Sequence, residues 1–208
     1  MNKYKGAILV MDCWDKHWDE ETNIASIHLN TMINAHLNKN RGEYLIIHCP
    51  NGCFDYYKSH LQYLHDVSIP PTYQYAPKDY LMQYISKLPY LFIDPSNVLN
   101  IAWKTKQNDD ISIEKGDYIC MNEIVICKLL QAFGIKDIYY LGYHLNLCIL
   151  YTRPMSLLAM KYNGFRVHVL YHLCDTLFDD RYKTDKITNR QEAQCAFIEV
   201  IKNIIEYK

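Results

Sequence analysis

The strongest constraint on the fold is a set of short, uninterrupted apolar runs separated by longer amphipathic stretches. Ala7–Met11 and Tyr44–His48 are the clearest runs, and Asp137–Leu141 and Arg166–Tyr171 are predicted as further strands. A strand without polar alternation is typical of a parallel sheet that helices cover on both faces. The sequence therefore predicts an α/β fold, with ligands bound beyond the carboxyl ends of the strands.

The stretches between these strands have helical spacing of apolar residues. The predicted helices are Asn23–Asn38, Asn122–Phe133, Leu147–Tyr162 and Thr188–Tyr207. Because 208 residues can bury a sizeable core, we expect one domain over residues 1–208, a three-layer α/β/α sandwich. The exception is an irregular excursion at about residues 67–110, which prolines interrupt and which holds one short predicted helix near Tyr80–Lys87.

Composition excludes several classes of protein. The 22 Lys and Arg residues balance 23 Asp and Glu residues, so the chain lacks the basic field that steers nucleic acid or an anionic membrane. The eight cysteines contain no Cys-x-x-Cys pair and are spread along the chain, which favours free thiols in a reducing cytosol over disulfides. No apolar run approaches the length of a membrane span. We expect a cytoplasmic protein whose partner is a small-molecule substrate.

Two residues at predicted strand ends have catalytic character. Asp12 directly follows the first strand, where a carboxylate partly removed from water suits a general base; the alternative is a helix N-cap or a surface carboxylate. Cys148 follows the strand Asp137–Leu141 through a turn that begins at Gly142. A thiol at the start of a helix is favoured as thiolate, although such a cysteine is also often a small buried apolar residue.

Three segments in this order resemble the isochorismatase-like family of cysteine hydrolases, which includes nicotinamidases and N-carbamoyl-amide hydrolases. They are Ile8–Asp12, Lys115–Met121 and Gly142–Thr152. Asp12–Trp18, which reads Asp-Cys-Trp-Asp-Lys-His-Trp, is similar to one subgroup of that family. The order Asp, Lys, Cys spans most of the chain, and the segment around the cysteine is the most specific of the three.

The resemblance implies a six-stranded, mainly parallel sheet and a catalytic triad of Asp12, Lys115 and Cys148. Asp12 would take the thiol proton and later activate water, Lys115 would stabilise the thiolate, and Cys148 would form a thioester. The backbone amides of His144 and Cys148 would form the oxyanion hole, with a cis peptide between Tyr143 and His144.

Two departures from the family pattern bear on these residues. Ile119–Met121 replace the family's Ser-Ala-Phe after the lysine, so Lys104 and Lys106 stay open as alternatives to Lys115. His144 stands where the family has Thr or Ala. In addition, Pro154 lies inside the predicted helix Leu147–Tyr162 and is expected to kink it.

The reaction implied is hydrolysis of a small amide or carbamoyl C–N bond, because true isochorismatases lack the cysteine. We expect no cofactor and no metal, since His48, Asp55 and His60 lack the Asp-x-His spacing of the nicotinamidase metal site. The resemblance also implies a homo-oligomer, either a dimer or a tetramer. Candidates for the substrate pocket wall are Trp14, His17, Trp18 and Trp103.

Two other functions are compatible with the same sequence. The first is a catalytically silent scaffold that binds a ligand or partner in the same cleft. The second is a thiol redox sensor in which Cys148 pairs with Cys120 or Cys174. The reactivity of Cys148 discriminates among the three functions.

Overall fold

The computed structural model of the protein describes residues 3–60, 62–64, 68, 72–86, 104–179 and 183–206. Within these residues a five-stranded parallel sheet has the order β3–β2–β1–β4–β5. The strands are β1 (Gly6–Met11), β2 (Tyr44–Cys49), β3 (Tyr118–Ile119), β4 (Asp137–Gly142) and β5 (Arg166–Cys174). The expected α/β class is confirmed, with five strands in the described residues where six were predicted.

The helices alternate with these strands. They are α1 (Glu20–Asn40), α2 (Phe54–Tyr57), α3 (Lys78–Ile85), α4 (Glu123–Ala132), α5 (Leu157–Tyr162) and α6 (Arg190–Glu206), together with a π-helix at Leu145–Thr152. None of the helices in the described ranges is long and apolar enough to cross a membrane. Residues 67, 69–71 and 87–103 of the excursion predicted at about residues 67–110 lie outside the described residues; α3 belongs to its described part.

Both faces of the sheet are covered, as its apolar strands require. In β1, Ile8 and Val10 pack with Ile33 and Leu37 of α1. The intervening β1 residues face the larger core on the other side, formed with α4, the π-helix, α5 and α6, to which Phe197 contributes. Since β1 is buried on both faces, its carboxyl end is the natural floor of a site.

The predicted helix Leu147–Tyr162 is wrong as a single element. The π-helix covers Leu145–Thr152, and α5 begins only at Leu157. Pro154 separates the two helices, because it has no N–H and forces the residue before it out of the α conformation. Arg153 is accordingly extended, with φ −105° and ψ 146°.

Candidate active site

Asp12 lies at the carboxyl end of β1 and is fully buried. Its backbone has φ 50°, in the left-handed region that Asp and Asn tolerate better than most residues. The carboxylate accepts hydrogen bonds from the backbone N–H and side-chain Nδ2 of Asn51, at 2.9 and 2.7 Å, and from Nε of Arg153 at 2.8 Å. Asp12 is therefore an anion held by three donors, one of them a guanidinium.

Cys148 lies in the π-helix and is almost fully buried. Burial and, to a smaller extent, the neighbouring Asp12 raise the pKa of its thiol to about 12, although Arg153 acts in the opposite direction. The thiol also interacts with the side chains of Asp12 and Thr152. At neutral pH the pair is thus a thiol beside a carboxylate, which is the arrangement that transfers a proton when the sulfur attacks.

The structure places Lys104, and not Lys115, at this site. Lys104 lines the cavity with Cys148, and its Nζ lies 4.1 Å from the centre of the Trp14 ring. Burial lowers the pKa of Lys104, while Asp12 raises it. Gly52 makes room for this side chain, because a Cβ there would lie 2.6 Å from its Cε.

The other two candidate lysines lie elsewhere. Lys115 is exposed, lies in the turn that precedes β3, and does not line the cavity. Lys106 pairs with Asp109 at 2.6 Å, also outside the cavity. The geometry therefore does not support Lys115 as the lysine beside Cys148; of the three candidate lysines, Lys104 is the one that lines the cavity.

The cavity has a volume of about 260 Å³. Its lining contains three of the predicted wall residues, Trp14, His17 and Trp18, whereas Trp103 lies outside the described residues. The full lining is Trp14, His17, Trp18, Lys104, His144, Leu147, Cys148, Thr152, Arg153 and Leu177. A mostly apolar and aromatic wall with two cations suits a small, flat substrate.

Two histidines, His17 and His144, form one wall of the cavity. The Asp19 backbone N–H donates to Nδ1 of His17 at 3.0 Å, so the proton of His17 is on Nε2. That nitrogen lies 3.1 Å from Nε2 of His144, and Nδ1 of His144 lies 3.0 Å from the Asp175 carboxylate. Burial and the neighbouring His144 lower the pKa of His17 to about 3. Arg190 balances Asp175 through Nε at 2.8 Å.

The turn between β4 and the π-helix is the predicted oxyanion hole. The Tyr143–His144 peptide bond is cis, at the position that the resemblance implies. Among the described residues, the His144 N–H donates to no backbone or side-chain acceptor. Gly142 has φ 113°, and a Cβ there would overlap the Met11 carbonyl oxygen, so only glycine fits this close approach to β1.

The residues considered for a metal site have other partners. His48 is buried between Gln107 at 2.9 Å and Asp117 at 3.3 Å. Asp55 pairs with Lys58 at 3.0 Å. Within the described ranges, no three His, Cys, Asp or Glu side chains are grouped closely enough to hold a metal ion.

The fold is that of isochorismatase-like hydrolases. One similar solved structure is an isochorismatase-like hydrolase from Alkaliphilus metalliredigens, with a TM-score of 0.50 and 12% identity over 99% of this chain and 98% of that one. Another is a cysteine hydrolase from Pseudomonas syringae pv. phaseolicola 1448A, with a TM-score of 0.51 and 10% identity over 100% of this chain and 87% of that one. No protein-family model and no curated protein matches the sequence.

Proposed function

We propose that the protein is a cysteine hydrolase that cleaves an amide or carbamoyl C–N bond of a small molecule. The observation that carries the proposal is that Cys148 and Lys104 line one cavity, while the buried carboxylate of Asp12 lies behind its wall and interacts with both the thiol and the lysine. The fold that this chain shares with solved hydrolases supports the same chemistry.

The reaction begins when Asp12 accepts the proton of Cys148 as the sulfur attacks the substrate carbonyl carbon. The backbone N–H groups of His144 and Cys148 receive the oxyanion, and Lys104 stabilises the thiolate. The amine leaves with the proton held by Asp12, and a thioester remains on Cys148. Asp12 then takes a proton from water, the water oxygen attacks the thioester, and the acid is released with the thiol restored.

The first experiment compares alkylation rates of individual cysteines. Cys195 is the one exposed thiol among the described cysteines and is therefore an internal reference. If accessibility alone decided reactivity, Cys195 would react with iodoacetamide faster than Cys148. If Asp12 activates Cys148, peptide mapping at pH 7 finds Cys148 the faster of the two, despite its burial.

Variants then assign the roles. Asp12→Asn should slow alkylation of Cys148 by about 10²-fold or more, since the proton acceptor is lost. Lys104→Met should slow it about tenfold, and Lys115→Met is the matched control that leaves it unchanged. Release of amine from a panel of small amides and N-carbamoyl compounds should require Cys148. A wild-type Cys148 slower than Cys195, with no amide hydrolysed, would favour the silent binding scaffold.

A further inference from the structure

We propose that Arg153, oriented by Pro154, is a positioning residue of this centre that holds the Asp12 carboxylate and stabilises the Cys148 thiolate. The inference rests on the proposed hydrolase function and adds a second cation to the site. The last of the three segments on which the resemblance rests ends at Thr152. The resemblance therefore assigns no role to Arg153 and gives no reason for Pro154.

The backbone explains how Arg153 reaches the site. Pro154 excludes the α conformation for Arg153, so the chain leaves the π-helix at this residue and turns back toward the sheet. Two hydrogen bonds fix the turn: the Ser156 N–H donates to the Arg153 carbonyl at 2.9 Å, and the Tyr140 hydroxyl donates to the Met155 carbonyl at 2.8 Å. The guanidinium thereby meets a carboxylate 141 residues earlier in the chain.

The guanidinium contacts both reacting groups. Its Nε donates to Asp12 at 2.8 Å, and its side chain also interacts with Cys148. Its Cζ lies 5.8 Å from the centre of the Trp14 ring, and Nζ of Lys104 lies 4.1 Å from the same centre. The Nε bond to Oδ2, together with the Asn51 bonds to Oδ1, fixes the orientation of the carboxylate against which the Cys148 thiol lies.

The two cations of the site are not equivalent. Burial lowers the pKa of Lys104. Burial acts in the same direction on Arg153, but Asp12 and Cys148 outweigh it and raise the pKa of the guanidinium. Arg153 is therefore charged at every pH at which the protein is folded. Among the described lining residues, Arg153 therefore supplies a permanent positive charge beside the nucleophile.

The test is the pH dependence of Cys148 alkylation from pH 5 to 10, with Cys195 as reference. In Arg153→Met the rising part of the pH–rate profile should move to higher pH by about one unit or more, because a neighbouring cation lowers the pKa of a thiol. The alkylation rate of Cys148 at pH 7 should therefore fall at least tenfold. Arg166→Met is the matched control, since Arg166 pairs with Asp137 at the exposed edge of the sheet and its loss should change nothing.

Two further variants separate a positioning role from a structural one. Arg153→Lys keeps the positive charge but not the planar guanidinium. The rising part of its pH–rate profile should therefore stay near that of the wild type, while the alkylation rate of Cys148 falls about tenfold. Pro154→Ala keeps the guanidinium but frees the backbone, so its rate should lie between those of the wild type and Arg153→Met. Folding of each variant is checked by urea denaturation; if Arg153→Met does not fold, Arg153→Lys decides, and an unchanged rate there overturns the inference.

The outcomes distinguish this inference from the proposed function. If the wild-type Cys148 reacts more slowly than Cys195, the hydrolase proposal fails. If the wild-type Cys148 is the fast thiol but folded Arg153→Met has the same pH–rate profile of alkylation as the wild type, only the role of Arg153 is refuted.

Discussion

The substitution Asp12→Asn removes one charge from the centre of the site and little else. Asp12 has φ 50°, which asparagine tolerates almost as well as aspartate, so the backbone is not strained by the change. Alanine would add a cost of about 1–2 kcal/mol for the left-handed conformation and confuse the result. Asparagine also keeps one oxygen for the two hydrogen bonds from Asn51.

Asp12→Asn lowers the free energy of unfolding because the guanidinium of Arg153 loses its charged partner. At the 2.8 Å separation of Arg153 Nε and Asp12 Oδ2, the Coulomb attraction at an effective dielectric constant of 20 is roughly 6 kcal/mol. The Arg153 side chain is 28% exposed, so solvent recovers part of that energy when the carboxylate is lost. We expect Asp12→Asn to lower the free energy of unfolding by about 3 kcal/mol.

Urea denaturation at pH 7 measures this loss, and a double-mutant cycle assigns it. Because the cost arises from an unpaired guanidinium, Asp12→Asn combined with Arg153→Met should be more stable than additivity predicts, by about 1 kcal/mol or more. The matched control is Asp137→Asn, whose partner Arg166 is largely exposed; its cost should stay below about 1 kcal/mol. Additive effects of the two site substitutions, or equal costs at Asp12 and Asp137, would refute the reasoning.

Three further predictions concern the surroundings of the site. Gly142→Ala should prevent stable folding or cost more than about 3 kcal/mol in urea denaturation, since its Cβ overlaps a backbone carbonyl; Gly164→Ala, with φ 80° and open space, should cost only about 1 kcal/mol. Gly52→Ala should displace Lys104 and reduce the alkylation rate of Cys148, and an unchanged rate would count against Lys104 as the triad lysine. The pKa of His17 is about 3 in the folded protein against 6.5 in the unfolded chain, so the unfolded chain binds the extra proton between these values. Stability should therefore fall on acidification below pH 6.5, by up to about 1.4 kcal/mol per pH unit, and His17→Phe should show a smaller slope.

The sequence was sufficient to predict those site residues that directly follow strands. Asp12 and Cys148 follow apolar strands, and such strands can be recognised by their continuous apolar runs. The lysine could not be chosen in the same way, because Lys104 follows a stretch without periodicity and is placed by a long-range contact with Gly52. Arg153 was missed although Pro154 was noted, because the direction of a kink depends on tertiary packing.

The helices were likewise predicted only in part. The helix predicted at Asn23–Asn38 begins three residues earlier, because Asp19 accepts a hydrogen bond from the Thr22 N–H at 2.9 Å and caps it. Ile24 and Ile27 have helical spacing yet are 64% and 66% exposed. Helical spacing of apolar residues therefore does not by itself identify which of them are buried.

The parallel pairing of β1 with β4 also governs when the active centre comes into existence. Ala7 pairs with Ile138, so the central strand has only one neighbour until most of the chain has been synthesised. Contacts between such distant segments form slowly, because a long loop must close first. Asp12 therefore leaves the ribosome well before Cys148 and Arg153, and it gains these partners only after the chain has passed Pro154. The reactivity that we propose for Cys148 therefore requires the assembled sheet, and the same thiol is an ordinary one in the nascent chain.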